Sequence, residues 1–233
     1  MTGAAWDTAW FEGGVAHKVM LAWRGVEAQH VISTMRLVDS LEEQEALEQM
    51  LEHSKPALPA MKAPKHFLLS TPFRYRPQHP SRFRAAGTLG LWYGAEQLYA
   101  ACAEVAYWRY RFILDSAGLR DSELLTEHTF FQAEVQGYAV DLLVSPWIAA
   151  RPAWTHGSDY TATQALAEAA RDNGVQWICY ESVRAPGHPC AAVLDVEALQ
   201  LVAQGTTQQT WHCKATRTAV MMVHGPDRHV WTF

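Results

Sequence analysis

Between residues 41 and 51 the apolar side chains fall at Leu41, Leu47, Met50 and Leu51, with acids between them, which is a helical repeat. Ser40 followed three residues later by Glu43 is a capping-box signature for its start. The pattern from Met1 to about Ala60 predicts helices throughout. "SKPALPAMKAP", residues 54–64, ends them with three prolines, each of which removes a backbone donor and pushes the preceding residue out of the helical region. "KHFLLSTPF" then predicts a strand, and "RYRPQHPSRFRAAG" a turn-rich loop with four arginines. "LGLWYGA" predicts a short strand, and Glu96 to about Leu114 a helix. Taking Val105 as the centre of its apolar face, Leu98, Ala101, Cys102, Trp108 and Phe112 fall within roughly 60° of it at helical spacing. Glu104 falls about 100° away, at the border of that face.

Further along, "LLTEHTFFQAEVQGYAVDLL" has the short apolar runs of strands, and "SPWIAARPAWTHGSDY" predicts a long loop. Thr161 with Gln164 offers a second capping box, and Asn173-Gly174 a left-handed helix stop. "VQWICYESVR" is β-prone, and the tail from Gln208 alternates well enough for two more strands with a turn at "HGPD". Helices do not alternate with strands throughout, so the order predicts a mixed α+β fold. Its sheet should be mainly antiparallel, curved or split, with flanking helices. Residues 1–60 form a helical extension in this reading, and 61–233 the main domain.

With 233 residues, 49% of them hydrophobic, the chain can bury a full core. A net charge of −5 and no basic tail give little support for binding nucleic acid directly. Cys102, Cys179, Cys190 and Cys213 are far apart without a C-x-x-C pair, the start lacks a targeting pattern, and no apolar run approaches the ~20 residues of a membrane span. These features predict a reduced, cytoplasmic protein away from membranes. The glycine-rich phosphate motifs and the G-x-S-x-G elbow are absent. "HPC" at 188–190 and "HC" at 212–213 do not match zinc spacing, so no metal is expected.

Three places join reactive side chains: the arginine loop around Arg82, the strand-to-helix unit with Tyr93 and Glu104, and the strand end with Ser182 and Arg184. "PSRFR", "LWYGAEQLYAACAEVAYWRYR" and "GVQWICYESVR", in that order from about Pro72 to Leu194, resemble the RES domain, a family named for its Arg, Glu and Ser. The first sixty residues are not part of the resemblance. It implies a toxin of a bacterial toxin–antitoxin pair with an ADP-ribosyltransferase-like fold, which consumes NAD⁺ as substrate, is held by a cognate antitoxin and self-associates.

Position by position, the family's arginine corresponds to Arg82, its tyrosine to Tyr93, its glutamate to Glu104 and its serine to Ser182. Glu104 and Ser182 are the catalytic candidates, and Arg82, Tyr93, Arg84 and Arg184 the candidates for binding the dinucleotide. Arg74 and Arg76 just upstream compete with Arg82 for the phosphates. Cleaving the nicotinamide–ribose bond leaves an oxocarbenium-like sugar, which a nearby carboxylate stabilises. Arginine offers phosphate a planar fork of donors, tyrosine can stack on a ring, and serine is short enough to position its neighbours. ADP-ribose could pass to water, phosphate or a protein. The residues alone also allow a blander reading. Glu104 could pair with Arg109 or Arg111, Tyr93 could be a core residue, Ser182 a turn serine, and the whole a catalytically silent protein-binding module.

Overall fold

A computed structural model describes residues 6–28, 32–35, 37–202 and 208–233. Its centre is a long antiparallel ribbon. Strand β1 (Val15–Glu27) pairs with β3 (Leu124–Asp141) along its whole length, from Val15 opposite Val140 to Glu27 opposite His128. The free edge of β3 is then shared by three strands in turn: β7 (Gln209–Ala215) near its start, β6 (Leu199–Leu201) in the middle, and β4 (Trp177–Glu181) near its end.

From there the sheet splits, as expected. One branch continues from β7 to β8 (Val220–His224) and β9 (Asp227–Trp231). The other runs from β4 to β5 (Pro189–Val193) and β2 (Trp92–Ala95), and β2 returns to β1 through the single pair Trp23–Ala95. Strands β1, β2, β5, β4 and β3 thus form a closed ring. Every pairing is antiparallel except β3 with β4.

Alternate residues of these strands explain the two cores, because successive side chains of a strand point to opposite faces. Met20, Ala22, Trp92, Phe131, Trp177 and Val193 fill the inside of the ring. The outer face packs on helix α5 (Leu98–Asp115) and helix α7 (Thr161–Asp172), through Phe130, Val140, Ile178 and Ala192 from strands and Cys102, Ala106 and Leu166 from helices.

The remaining helices are α3 (Leu41–Ser54) and four single turns, α1 (Phe11–Gly14), α2 (Ile32–Met35), α4 (Phe67–Ser70) and α6 (Arg151–Trp154), among the described residues. No helix among the described residues is long and apolar enough to cross a membrane.

Several expectations are corrected. The first sixty residues are not helical throughout, since Val15–Glu27 is a strand; residues 1–5, 29–31 and 36 of that stretch lie outside the described residues. In "VAHKVMLAWRGVE" apolar residues occupy both faces, Met20 and Ala22 inward and Val19 and Leu21 outward, so no period of two is visible. Ser40 does cap α3, accepting from the Glu43 amide at 3.1 Å. "KHFLLSTPF" is helical, with α4 running into a 3₁₀ turn at Thr71–Arg74. The loop before α7 contains a 3₁₀ turn and α6, and the tail holds three strands rather than two, with Gly225 at φ +54° in the expected turn.

Because β1 covers one edge of β3 and part of the ring's interior, a chain beginning at residue 61 should leave a long unpaired edge and an open core. Such a fragment is expected to show no cooperative thermal transition, and the full chain is expected to show one. A cooperative melt of the fragment would show that β1 is dispensable.

Candidate active site

Helix α5 has two apolar sides. Cys102, Ala106 and Ile113 recur at helical spacing and are fully buried in the core. Ala101, Val105, Trp108 and Phe112 lie on another side and line a cleft between α5, β1 and β2. On the face centred on Val105, Ala101 and Cys102 are buried in the core and Leu98 and Val105 pack against it, as the pattern predicts, whereas Trp108 and Phe112 are 48% and 49% exposed and extend the face as the wall of a cavity. Glu104 opens onto the same cavity. The cavity has a volume of about 460 Å³, within the range of small-molecule sites.

Glu104 meets the end of β4 there. The Ser182 hydroxyl donates to Glu104 Oε1 at 2.6 Å and accepts from the amides of Arg184 at 3.2 Å and Ala185 at 3.0 Å. Burial lifts the Glu104 carboxyl above its ordinary range, while the Ser182 hydrogen bond and the charges of Arg184 and Arg82 pull the other way. Ser182 is itself buried and is not part of the cavity wall, so it positions Glu104 instead of facing a ligand. Arg109 pairs with Glu27 and Arg111 with Asp115, so neither is the ion-pair partner of Glu104 that the blander reading required.

The arginine loop turns tightly. Ser81 and Arg84 exchange backbone hydrogen bonds at 2.9 and 3.1 Å, which puts Arg82 and Phe83 at the tip. Helix α7 grips that tip. Thr163 Oγ1 donates to the Arg82 carbonyl, and Gln164 Nε2 donates to the carbonyls of Ser81 at 3.0 Å and Arg84 at 3.1 Å. Gln164 therefore holds the loop and closes no capping box with Thr161, whose amide donates to Asp159 Oδ1 at 2.9 Å. The Tyr93 hydroxyl accepts from the Phe83 amide at 3.2 Å and bonds Ser81 Oγ at 2.9 Å, so it fixes the loop while the residue also lines the cavity.

The candidate arginines separate. Arg82 lines the cavity, stacks over Tyr160, and spends one nitrogen on the carbonyls of Trp154 and His156, both at 2.9 Å. Arg184 lines it too, lying 3.4 Å over the Tyr107 ring and donating to the Gly157 carbonyl at 2.9 Å. Arg84 does not: its guanidinium donates to the carbonyls of Pro77, Ala85 and His79 and holds the loop together. Arg74 binds Glu52 of α3 at 2.9 Å and the Pro56 carbonyl, and Arg76 is exposed.

Arg24 lies on the strand whose segment was expected to be helical, and sequence reasoning missed it. It lines the cavity, donates to the Tyr93 carbonyl at 2.9 Å, and stacks over Trp92. Its Nε is buried without a partner, and burial lowers its pKa to about 10. The one signal in the sequence is a charge directly after the apolar run "VMLAW". Of the charged groups that line the cavity, Arg109 and Glu27 pair with each other. That leaves the guanidinium groups of Arg24, Arg82 and Arg184 around the Glu104 carboxyl, a set that suits an anionic ligand of more than one charge.

Fold and site define a mixed α/β protein with an arginine-walled cleft built around one shielded carboxylate. The chain belongs to the RES domain family, whose model matches residues 58–215, more than half of its length. Its fold is also that of the MbcT toxin in the crystal structure of the M. tuberculosis MbcT–MbcA toxin–antitoxin complex. The TM-score is 0.52 at 13% identity, over 90% of this chain and 92% of that one. None of the curated proteins matches the chain significantly. The family match begins after β1, so Arg24 lies outside it.

Because Glu104 is held above its ordinary value of 4.5, the folded chain keeps a proton there that the unfolded chain has already released. Stability contributed by this group is greatest below that ordinary value and is lost as pH rises through the raised folded one. Glu104→Gln removes the dependence, so the variant should gain on the wild type across that window. Urea melts of both at about pH 4 and about pH 8 read the gap. A gap that does not change with pH would show that the carboxyl carries no such burden.

Proposed function

We propose that this protein is the toxin of a toxin–antitoxin pair and an enzyme that cleaves the nicotinamide–ribose bond of NAD⁺. The observation that carries the reading is a carboxylate held by Ser182 inside a cleft walled by Arg24, Arg82 and Arg184. The arginines offer donors to the two phosphates of the dinucleotide. Arg82 is suited to this because both its protein bonds use Nη1, leaving Nε and Nη2 uncommitted. Arg84 is spent on the loop and drops out of this role.

As the bond to nicotinamide lengthens, positive charge develops on the ribose, and the Glu104 carboxylate stabilises it in a setting sheltered from water. Tyr93 and Tyr180 flank that end of the cleft and give the nicotinamide ring apolar surface. ADP-ribose passes to water, phosphate or a protein side chain. A cognate antitoxin covers the mouth of the cleft near Arg82; that there is such a partner is supported by the similar fold in a toxin–antitoxin complex.

Nicotinamide release from NAD⁺ by the purified protein, with and without phosphate, tests the reading. Wild type should release it, phosphate dependence would identify the acceptor, and Glu104→Gln should lose about 100-fold or more in rate. No release by well-folded protein free of antitoxin would leave a binding module.

The pH profile tests the roles of Glu104 and Ser182 separately. Glu104 acts as the anion, so the rate should fall on acidification at a pH above the ordinary carboxylate range. Ser182→Ala removes the donor that favours the ionised form and should move that acid limb to higher pH. An acid limb that stays in place in Ser182→Ala would exclude the positioning role.

A further inference from the structure

The cleft extends well beyond Glu104. Along α5, Trp108 and Phe112 lie one and two turns past it, so Phe112 is on the order of 12 Å farther along the helix axis. On β1, Glu27 is four residues past Trp23, the residue paired with Ala95, or about 13 Å along the strand. The Arg109–Glu27 ion pair ties helix and strand together at this far end.

His128 lines the cleft there, directly opposite Glu27 in the β1–β3 ladder. It is 2% exposed; Nε2 is bonded to Thr126 Oγ1 at 3.0 Å, and Nδ1 has no partner. A buried ring nitrogen without a partner is costly unless something in the cleft completes it. Burial and the nearby Arg109 charge lower the His128 pKa to about 4, against the smaller pull of Glu27, so the ring is neutral near pH 7. Trp108 and Phe112 share one face of α5 and expose their rings to the same space.

We propose that this far end is a second subsite, taking a flat heteroaromatic ring that stacks on Trp108 and Phe112 and gives an in-plane hydrogen bond to or from His128 Nδ1. It rests on the cleft binding a dinucleotide. Such a ligand carries two rings of this chemistry; the nicotinamide belongs beside Glu104, so the adenine is the ring that occupies the subsite. The ion pair of Arg109 and Glu27 beside it is already neutralised, so the subsite selects for a polar edge and not for a further phosphate.

The experiment is equilibrium binding of AMP and of nicotinamide mononucleotide, measured by calorimetry in a Glu104→Gln background so that neither probe is consumed. His128→Phe keeps an aromatic ring but deletes both nitrogens, Nδ1 and the Nε2 that bonds Thr126. Phe112→Ala trims a half-exposed side chain and carries the test if the buried histidine cannot be replaced. Both variants should weaken AMP by roughly tenfold or more and leave nicotinamide mononucleotide unchanged. Loss confined to nicotinamide mononucleotide would overturn the assignment of the subsite to adenine. Unchanged binding of both probes, or equal weakening of both, would overturn the subsite. Failure of the Glu104→Gln parent to bind either probe would instead overturn the dinucleotide reading and the subsite with it.

Discussion

The site depends on one hydroxyl with no freedom left. A serine oxygen has two lone pairs and one proton. Ser182 gives its lone-pair side to the Arg184 and Ala185 amides, so its proton can only point elsewhere, and it points to Glu104. That arrangement couples the turn after β4 to the middle of α5. It also offsets part of the cost of shielding a carboxylate, which burial otherwise drives toward its neutral form. The same turn aims Arg184 along Tyr107, so one short stretch of chain sets both the position of the anion and one of its counter-charges.

The cleft exists because the ring of strands closes only at one point. Strands β1 and β2 pair at Trp23–Ala95 and then separate, which would leave the Tyr93 carbonyl without a ladder partner. Arg24 supplies that partner from its side chain, and in doing so brings a buried cation to the cavity. The next residue must be small. A Cβ on Gly25 would lie 2.6 Å from the Phe130 ring and 2.9 Å from Val105, so only glycine lets β1 pass this close to α5 and the core. Strand separation, a wedged arginine and a glycine thus belong to one solution for opening a pocket beside a closed sheet.

How much of this was readable from the chain follows from what each signal encodes. Helix α5, α7 and the split antiparallel sheet were readable because their periodicity and stops are local. The far end of the apolar face of α5 was not, since a cavity wall is as apolar as a core and repeats at the same spacing; only the exposure of Trp108 and Phe112 tells them apart. Strand β1 was hidden by apolar residues on both faces, and Arg24 was hidden with it. The resemblance singled out Glu104 and Ser182, which the fold brings within a hydrogen bond, yet it could not say that the serine faces the glutamate and not the cavity, because that depends on which atoms face the cavity.

The two arginines of "SRFR" show why residue type and spacing could not finish the assignment. In an extended strand Arg82 and Arg84 would share a face. The Ser81–Arg84 bridge instead folds the segment into a tight turn, and α7 clamps it through Thr163 and Gln164. Arg82 is left at the tip facing the cavity, while Arg84 on the return side satisfies three carbonyls of its own loop. A guanidinium whose donors hold the scaffold is poorly available to a phosphate, and one bonded through a single nitrogen keeps most of its fork. The loop therefore holds two different arginines: Arg84 bonded into its own scaffold, and Arg82, two residues away, held at the cavity.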